Sequence, residues 1–306
     1  MVNQSQSDVY LIKTGDRTEG IDLLLKKFSL NEFSGKNVAI KANFNSADPF
    51  PASTHLQTLE ALVRNLQEAG ASELVMAERS GMGTTREVLE KMGVYELSRE
   101  LGFKLVVLDE EEKEGWIKIK GDGNHWLRGF YISKIFQEAD KVVQTCCLKT
   151  HRFGGHFTLS LKNSVGLVAK KVPGSVYNYM AELHMSPYQR KMIAEINPHY
   201  PVDLVLMDGI KAFLDQGPER GQLAEPNLLL ASTDRVAIDA VGVAVLRYYG
   251  TTGDVSRGPI FQQEQIKRGV ELGVGVESVD KINLIPVTDE SQKATDDLNS
   301  ILEEQG

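Results

Sequence analysis

The sequence predicts an α/β protein with a mainly parallel sheet, helices on both faces of the sheet, and a small second lobe or lid. Short apolar runs rich in β-branched residues alternate with segments of helical periodicity along most of the 306 residues. Chains with this alternation usually build a parallel sheet covered by helices. Six runs should be strands of one sheet, namely 38–43, 73–77, 104–108, 142–147, 203–207 and 227–231.

Further strands are expected at 116–120, where apolar and polar residues alternate, and at 281–286. Helices are predicted where apolar residues recur at helical spacing between turn residues and caps. Gly70 should end the second of them, and Thr233 or Asp234 should begin a long apolar one. The predicted helices cover 16–28, 54–69, 85–92, 95–101, 133–139, 157–168, 188–196, 236–249 and 261–272.

Three regions are expected along the chain. Residues 1–170 form a first α/β half, 171–200 form a lid or connector in which periodicity is lost, and 201–306 form a second α/β half. The two halves should pack together as one unit. The tail from residue 288 is acidic and is expected to be frayed or helical, without chemistry of its own.

The bulk composition excludes several classes of protein. A net charge of -8 argues against a general nucleic-acid-binding protein. The N-terminus is polar, and no apolar stretch approaches eighteen residues, so neither a signal peptide nor a membrane span is expected. Cys146 and Cys147 are adjacent, and a disulfide between neighbours is strained. A reducing, cytoplasmic location is therefore predicted.

Residues 141–163 contain the densest group of titratable side chains. The segment begins as an apolar strand, continues through a basic stretch interrupted by two glycines, and ends in helical spacing. It is therefore interpreted as a strand, a loop and a helix. Ligands usually bind at such connections, because they lie at the carboxyl ends of the strands of an open sheet.

The basic residues of this segment predict a site for a small anionic ligand. Glycines let backbone N–H groups approach an anion, and the start of a helix favours negative charge. Asn43 follows an earlier strand and is expected to reach the same edge of the sheet. The residues assigned to binding are Asn43, Arg152, Gly154, Gly155, Lys162 and Asn163. A solvated basic patch is the alternative.

Catalytic roles are assigned to four residues at or near strand ends, namely Glu78, Lys149, His151 and Asp208. His151 is the candidate acid, base or ligand, and either carboxylate could assist it. His151 and His156 are also candidates for binding a divalent metal ion, although they lack the helical His-x-x-x-His spacing. Two loop histidines that bond to the backbone are the alternative.

If the strand reaches Lys149, the side chains of Cys147 and Lys149 lie on the same face of the strand, and the side chain of Cys146 lies on the opposite face. Neither cysteine is expected to be catalytic or bridged, since free cysteine is most often a small buried residue.

Several short motifs together resemble the family called domain of unknown function 362. They are Lys149-Thr-His151, Leu161-Lys-Asn-Ser-Val-Gly166, Lys41-Ala-Asn43, Glu78-Arg-Ser-Gly81, Asp208-Gly-Ile210, Gly217-Pro-x-x-Gly221 and Thr233-Asp-x-Val-Ala-x-Asp239. The resemblance spans roughly residues 36–250. It implies an α/β fold but says little about a mechanism. Many relatives carry a ferredoxin-like cysteine cluster that this chain lacks, so the resemblance implies no electron transfer. His-x-x-Gly-Gly is also similar to the nickel-dependent lactate racemase family, an analogy of fold alone.

The resulting hypothesis is an enzyme that acts on a small anionic metabolite in a cleft lined by lysine and histidine, with metal assistance as an open option. A non-catalytic small-anion binding module and a thiol redox partner are the alternatives. The oligomeric state is left open.

Overall fold

The computed structural model describes residues 6–306 and contains a ten-stranded sheet and a separate two-stranded one. Eight strands lie side by side in the order β12-β1-β11-β9-β7-β2-β3-β4, while β8 pairs with β7, β10 with β9, and β5 with β6. The strands are β1 Ser7–Lys13, β2 Asn37–Lys41, β3 Glu73–Glu78, β4 Lys104–Val107, β5 Trp116–Ile119, β6 Phe130–Ser133, β7 Lys141–His151, β8 His156–Thr158, β9 Leu204–Phe213, β10 Leu223–Ala224, β11 Leu228–Ser232 and β12 Ile282–Pro286.

Most of the predicted helices begin and end near the positions expected from capping residues and periodicity, while α6 is much shorter than predicted and α7 was not predicted. The Asp234 carboxylate accepts hydrogen bonds from two N–H groups at the start of α9, as the sequence predicted. The helices are α1 Arg17–Leu25, α2 Leu56–Glu68, α3 Thr85–Lys91, α4 Val94–Leu101, α5 Lys134–Glu138, α6 Ser160–Asn163, α7 Tyr179–Met185, α8 Gln189–Ala194, α9 Arg235–Tyr248, α10 Glu264–Glu271 and α11 Gln292–Gln305.

The fold class is confirmed as α/β with a mostly parallel sheet. On the eight-strand path β11 runs against its two neighbours, and the other strands share one direction. All six runs expected in one sheet are in it. The carboxyl ends of β2, β3 and β7 therefore open onto one edge.

Helices cover both faces of the sheet. One face packs apolar side chains of α1, α2 and α4 against alternate residues of the strands, such as Val38 and Val143. The opposite face packs α9, α10 and α11 over β7 and β9, and packs α5, α7 and α8 over β2 and β7. Ala39 and Val142 lie on this second face, as period-two alternation requires.

The central segment differs from its predicted form. The strand β7 extends to His151 and turns back through a hairpin into β8, where a loop and a helix were predicted. Apolar residues in this region occur at helical spacing, but α6 has only four residues and follows the hairpin. Lys149 and His151 therefore lie on a strand. Pairing with β9 shifts register between Cys147 and Leu148 and then continues, with Leu148 opposite Ala212 and Lys149 opposite Phe213.

Two elements, β1 and α7, were not predicted from sequence periodicity, whereas α8 lies within the predicted helix 188–196. The strand β1 begins with polar residues, and it is fixed between β11 and β12 by pairing over its length. Residues 171–200, predicted as a lid or connector, contain α7 and α8, which contribute buried side chains such as Leu183, Met192 and Ile193 to the core.

None of the helices within residues 6–306 combines the length and apolar character needed to cross a bilayer.

Candidate anion-binding cleft

A small cleft opens where β2, β3 and β7 end. Its volume is about 40 Å³. A single water molecule needs only about one third of that volume. The space therefore suits a carboxylate, a phosphate or a fragment of similar size. The side chains and backbone around it belong to Lys41, Asn43, Phe44, Asn45, Glu78, Arg79, Lys149, His151, Thr158, Lys162, Asn163, Val165, Gly166 and Pro218.

One side of the cleft is built on a buried ion pair. Lys41 Nζ lies 2.5 Å from Glu78 Oε1, and the two side chains are 2% and 1% exposed. The Glu78 carboxylate also accepts hydrogen bonds from the backbone N–H groups of Phe44 and Arg79. Burial lowers the pKa of Lys41, and the carboxylate opposes that shift. Glu78, predicted as a catalytic acid or base, is thus held by three donors.

Lys149 forms a second anchor across the cleft. Its ammonium group donates to Asn43 Oδ1 at 2.7 Å and to the carbonyl oxygen of Ala52. Asn43 Nδ2 in turn lies 3.4 Å from Asn163 Oδ1, which also faces Lys41 Nζ. Burial lowers the pKa of Lys149. Its hydrogen-bond partners are neutral oxygens, which do not compensate the charge of the ammonium group. The two asparagines thus connect the ends of β2 and β7 to α6.

Arg79 contributes a third buried cation. Its guanidinium group donates to the carbonyl oxygens of Val165, Val168 and Ser80. Burial lowers the pKa of Arg79, while Asp109 and Glu78 act in the opposite direction. These contacts fix the backbone that follows α6 against the end of β3, so the positive charge is held rigidly beside the cleft.

Lys162 and His151 face the cleft in an environment that disfavours positive charge. Burial, Lys149 and Arg79 lower the pKa of Lys162 to about 7. Burial and the neighbouring cations, first Lys162 and then Lys149, hold the pKa of His151 well below its ordinary value. The imidazole is therefore neutral at pH 7.

Two buried polar atoms at this cleft lack an internal partner. Within residues 6–306, no hydrogen-bond partner reaches His151 Nδ1 or Thr158 Oγ1. Buried polar atoms are normally satisfied. These two atoms can therefore be satisfied by a group that enters the cleft.

The predicted anion loop takes another form in the structure. The backbone N–H groups of Ser160 and Leu161, at the start of α6, donate to the buried Asp239 carboxylate at 2.7 and 3.0 Å. Asp239 therefore uses the donors that were expected to face an anion. Gly154 lies against Gln189 instead of lining the cleft. A Cβ at Gly155 would lie 2.6 Å from Lys162 Cε and 2.9 Å from His151 Nδ1, so this glycine leaves room for both side chains.

Two of the predicted site residues that lie outside the cleft, Asp208 and Arg152, form ion pairs elsewhere. The Asp208 carboxylate accepts from Arg17 Nε at 2.8 Å and from Thr58 Oγ1 at 2.5 Å. Arg152 bonds to Glu219 and to the carbonyl oxygen of Gln216. Asp208 and Arg152 are therefore each paired with an oppositely charged residue from another part of the chain. These ion pairs anchor α1 and the chain after β9.

The two histidines of the predicted metal pair have different surroundings. His151 and His156 are opposite each other in the β7–β8 hairpin, and His156 Nε2 faces Asp254 at 3.3 Å. Across residues 6–306, no group of three or more His, Cys, Asp or Glu side chains converges as a metal site requires. The predicted metal pair therefore lacks a third donor from this part of the chain.

Both cysteines are free and buried. Cys146 packs in the core with Leu148, and burial raises the pKa of Cys147 to about 11. The thiolate is the reactive form of cysteine, so this environment does not favour the thiol redox alternative.

Native protein should resist thiol alkylation. At about pH 8, iodoacetamide should modify Cys147 on the order of 100-fold more slowly than it modifies the urea-unfolded chain, because each pKa unit lowers the thiolate fraction tenfold. Intact mass measured over time gives both rates. Equal rates in folded and unfolded protein would contradict this assignment.

Sequence reasoning did not assign roles to Lys41, Arg79 and Gly166. A Cβ at Gly166 would come within 3.0 Å of Lys41 Nζ and Glu78 Oε1, so only glycine fits there. Lys41 and Arg79 are charged residues directly at the ends of two buried strands. That position was an available signal, because the carboxyl ends of parallel strands are where ligand sites form.

Comparison with known proteins identifies a family and a few relatives. The sequence model of the family described as "Domain of unknown function (DUF362)" matches residues 38–244. A thylakoid-associated protein of Synechocystis sp. is 29% identical over 194 residues, which cover 63% of this chain and 57% of that protein. The chain thus matches little more than half of the length of this curated relative.

Two solved structures are also similar. The lactate racemase apoprotein from Thermoanaerobacterium thermosaccharolyticum aligns over 96% of this chain and 86% of its own, with 15% identity and a TM-score of 0.46. A protein of Thermotoga maritima aligns over 62% of this chain and 49% of its own, with 16% identity and a TM-score of 0.38.

Proposed function

The chain belongs to the family called domain of unknown function 362, and from that premise we propose that it is an enzyme acting on a small anionic metabolite in the cleft at the ends of β2, β3 and β7. One observation carries the proposal. Four cationic side chains, from Lys41, Arg79, Lys149 and Lys162, surround a cavity of about 40 Å³ that contains one carboxylate, from Glu78. Such an excess of positive charge in a confined site attracts an anion.

Lys149 and Lys162 are the proposed anion-binding groups, and Asn43, which is bonded to Asn163, positions Lys149. The Lys41–Glu78 pair already neutralises itself, so it serves mainly as a scaffold. Lys149 bonds only to neutral oxygens among the described residues, and an incoming anion would compensate its charge. A bound anion would also favour the charged form of Lys162.

The enzyme hypothesis is favoured over a pure binding module by His151. A neutral imidazole with an unbonded Nδ1 beside a substrate site can accept or donate a proton. We therefore assign it the acid/base role. A binding module would need the cations alone. The proposal includes a cytoplasmic location, which the two unpaired cysteines support.

Oxalate is a suitable first probe, because it is a small dianion that does not change charge near neutral pH. The Lys162→Met variant should bind oxalate about 10- to 100-fold more weakly at about pH 6, the loss expected for one hydrogen bond to a charged group. Titration calorimetry measures both affinities. Lys171→Met, which removes an exposed lysine, is the matched control and should bind as the original chain does.

The pH dependence of oxalate affinity has a definite sign. Lys162 is charged below its pKa of about 7 and neutral above it, so the affinity should fall as pH rises from about 6 to about 8. Burial and the neighbouring cations lower the pKa of His151 and so favour the neutral form of its imidazole. Lys162→Met should remove most of the dependence. Absence of oxalate binding to the folded original chain at about pH 6 would refute the proposal.

A further inference from the structure

Lys162 has the surroundings of a reactive amine. It extends from α6 into the cleft, where Lys149 comes from β7 and Arg79 follows β3. His184 of α7 and His151 of β7 are also close to it, and the buried Lys41–Glu78 pair lines the same cleft. Because Lys41 compensates the Glu78 carboxylate, the position of Lys162 disfavours an additional positive charge. A lysine amine is nucleophilic only when it has lost its proton.

The side chains of Lys162 and His151 lie close together at the cleft. A Cβ at Gly155 would lie 2.6 Å from Lys162 Cε and 2.9 Å from His151 Nδ1, so both side chains approach the same backbone position. Both residues also line the cleft, and His151 Nδ1 has no hydrogen-bond partner within residues 6–306. A carbonyl compound in the cleft would therefore meet an amine and a group able to carry a proton.

We propose that Lys162 is a catalytic nucleophile that forms an imine with a small carbonyl compound bearing an anionic group, such as a 2-oxo acid. This inference rests on the proposed function, because the anionic group would bind beside Lys149 as described above. It adds a substrate class and a covalent step at the same site. A desolvated lysine next to other cations is a known way to obtain such an amine, and the pKa near 7 agrees with it.

The chemical step balances without an oxidant or reductant. The lone pair of Lys162 Nζ attacks the carbonyl carbon, and the carbonyl oxygen takes a proton to give a carbinolamine. Loss of that oxygen as water, with the nitrogen lone pair forming the C=N bond, gives the imine. His151 is placed to move the proton between the nitrogen and the departing oxygen.

Borohydride trapping with glyoxylate tests the inference. Borohydride delivers hydride to the imine carbon and converts the adduct to a stable secondary amine that carries a carboxymethyl group. At about pH 7, an ordinary exposed lysine is almost wholly protonated. Peptide mapping by mass spectrometry should therefore show Lys162 labelled at least about tenfold faster than Lys171. Oxalate should protect Lys162 and leave Lys171 unaffected.

Two comparisons sharpen the result. Propanal, a carbonyl compound of similar size without a charge, should label Lys162 at least about tenfold more slowly than glyoxylate, since it lacks the group that Lys149 attracts. Lys162→Arg retains the charge and cannot form the imine, so it should lose this label while keeping the labelling of exposed lysines. Labelling of Lys162 should rise through about pH 7, where its amine loses the proton.

The outcomes separate this inference from the function on which it rests. Rapid labelling of Lys162 with oxalate protection supports both. If oxalate binds but Lys162 reacts no faster than Lys171, the nucleophile is refuted and the anion site stands. If oxalate does not bind and Lys162 reacts no faster than exposed lysines, both are refuted.

Discussion

Glu78→Gln should lower the free energy of unfolding by about 3–5 kcal/mol, the range seen when one partner of a buried ion pair is removed. The loss is expected because Lys41 lies at the same depth and would keep a charge without its compensating carboxylate. The backbone N–H groups of Phe44 and Arg79 donate to different oxygens of Glu78, so the single amide oxygen of glutamine can accept only one of them. The loss therefore combines the uncompensated charge with one broken hydrogen bond. Urea denaturation followed by circular dichroism gives the difference.

Two further variants control this measurement. Glu110→Gln breaks the surface pair with Arg86, whose side chains are 51% and 47% exposed, and should change stability little. The double variant Lys41→Met, Glu78→Leu removes both charges and should recover much of the loss, as buried pairs replaced by apolar residues often do. If Glu78→Gln were no more destabilising than Glu110→Gln, the Lys41–Glu78 pair would not support the cleft.

Asp208→Ala should cost a similar amount, about 3–5 kcal/mol, and should leave oxalate affinity within a few-fold of the original value. The carboxylate is buried and compensates Arg17, and it also accepts the hydroxyl of Thr58. Its loss would leave a nearly buried guanidinium and a buried hydroxyl without an acceptor. Because it does not line the cleft, binding should survive in the fraction that remains folded.

Denaturation and calorimetry on the same preparation separate the two effects. Asp122→Ala removes an exposed carboxylate and serves as the control for charge alone. A loss of oxalate affinity of tenfold or more in folded Asp208→Ala would show that Asp208 contributes to the binding site. Unchanged stability would show that Arg17 and Thr58 do not depend on it.

Much of the fold could be predicted because many of its signals are local. Apolar runs such as 203–207 and caps such as Asp234 follow from backbone sterics and hydrogen-bonding needs within a few residues. The strand β1 escaped prediction because its pairing partners are more than 200 residues away in the sequence. The β7–β8 hairpin escaped because the apolar spacing after Gly155 fits a helix equally well.

The candidate site was predictable in part. Asn43, Glu78, Lys149 and Asp208 were expected to meet because parallel strands end at one edge. The structure brings the first three to one cleft, whereas Asp208 lies outside it and pairs with Arg17. Arg152 was expected there on the strength of its charge. Its actual partner, Glu219, lies in a distant loop, and only the tertiary arrangement brings the two together. Asp239 is likewise 79 residues from Ser160 in the sequence. Its carboxylate accepts the hydrogen bond from the Ser160 N–H at the start of α6, where an anion was predicted to bind.

The sequence by itself determined the class of fold, the order of most strands and helices, and the concentration of basic residues at the carboxyl edge of the sheet. These depend on side-chain type and short-range periodicity. Tertiary structure decided which of the charged residues are neutralised and which still face the cleft. Charge compensation is a matter of distance and burial, and these come from chain segments that are remote in sequence. For that reason Lys162 differs from Arg152, although both are basic residues of the same short stretch.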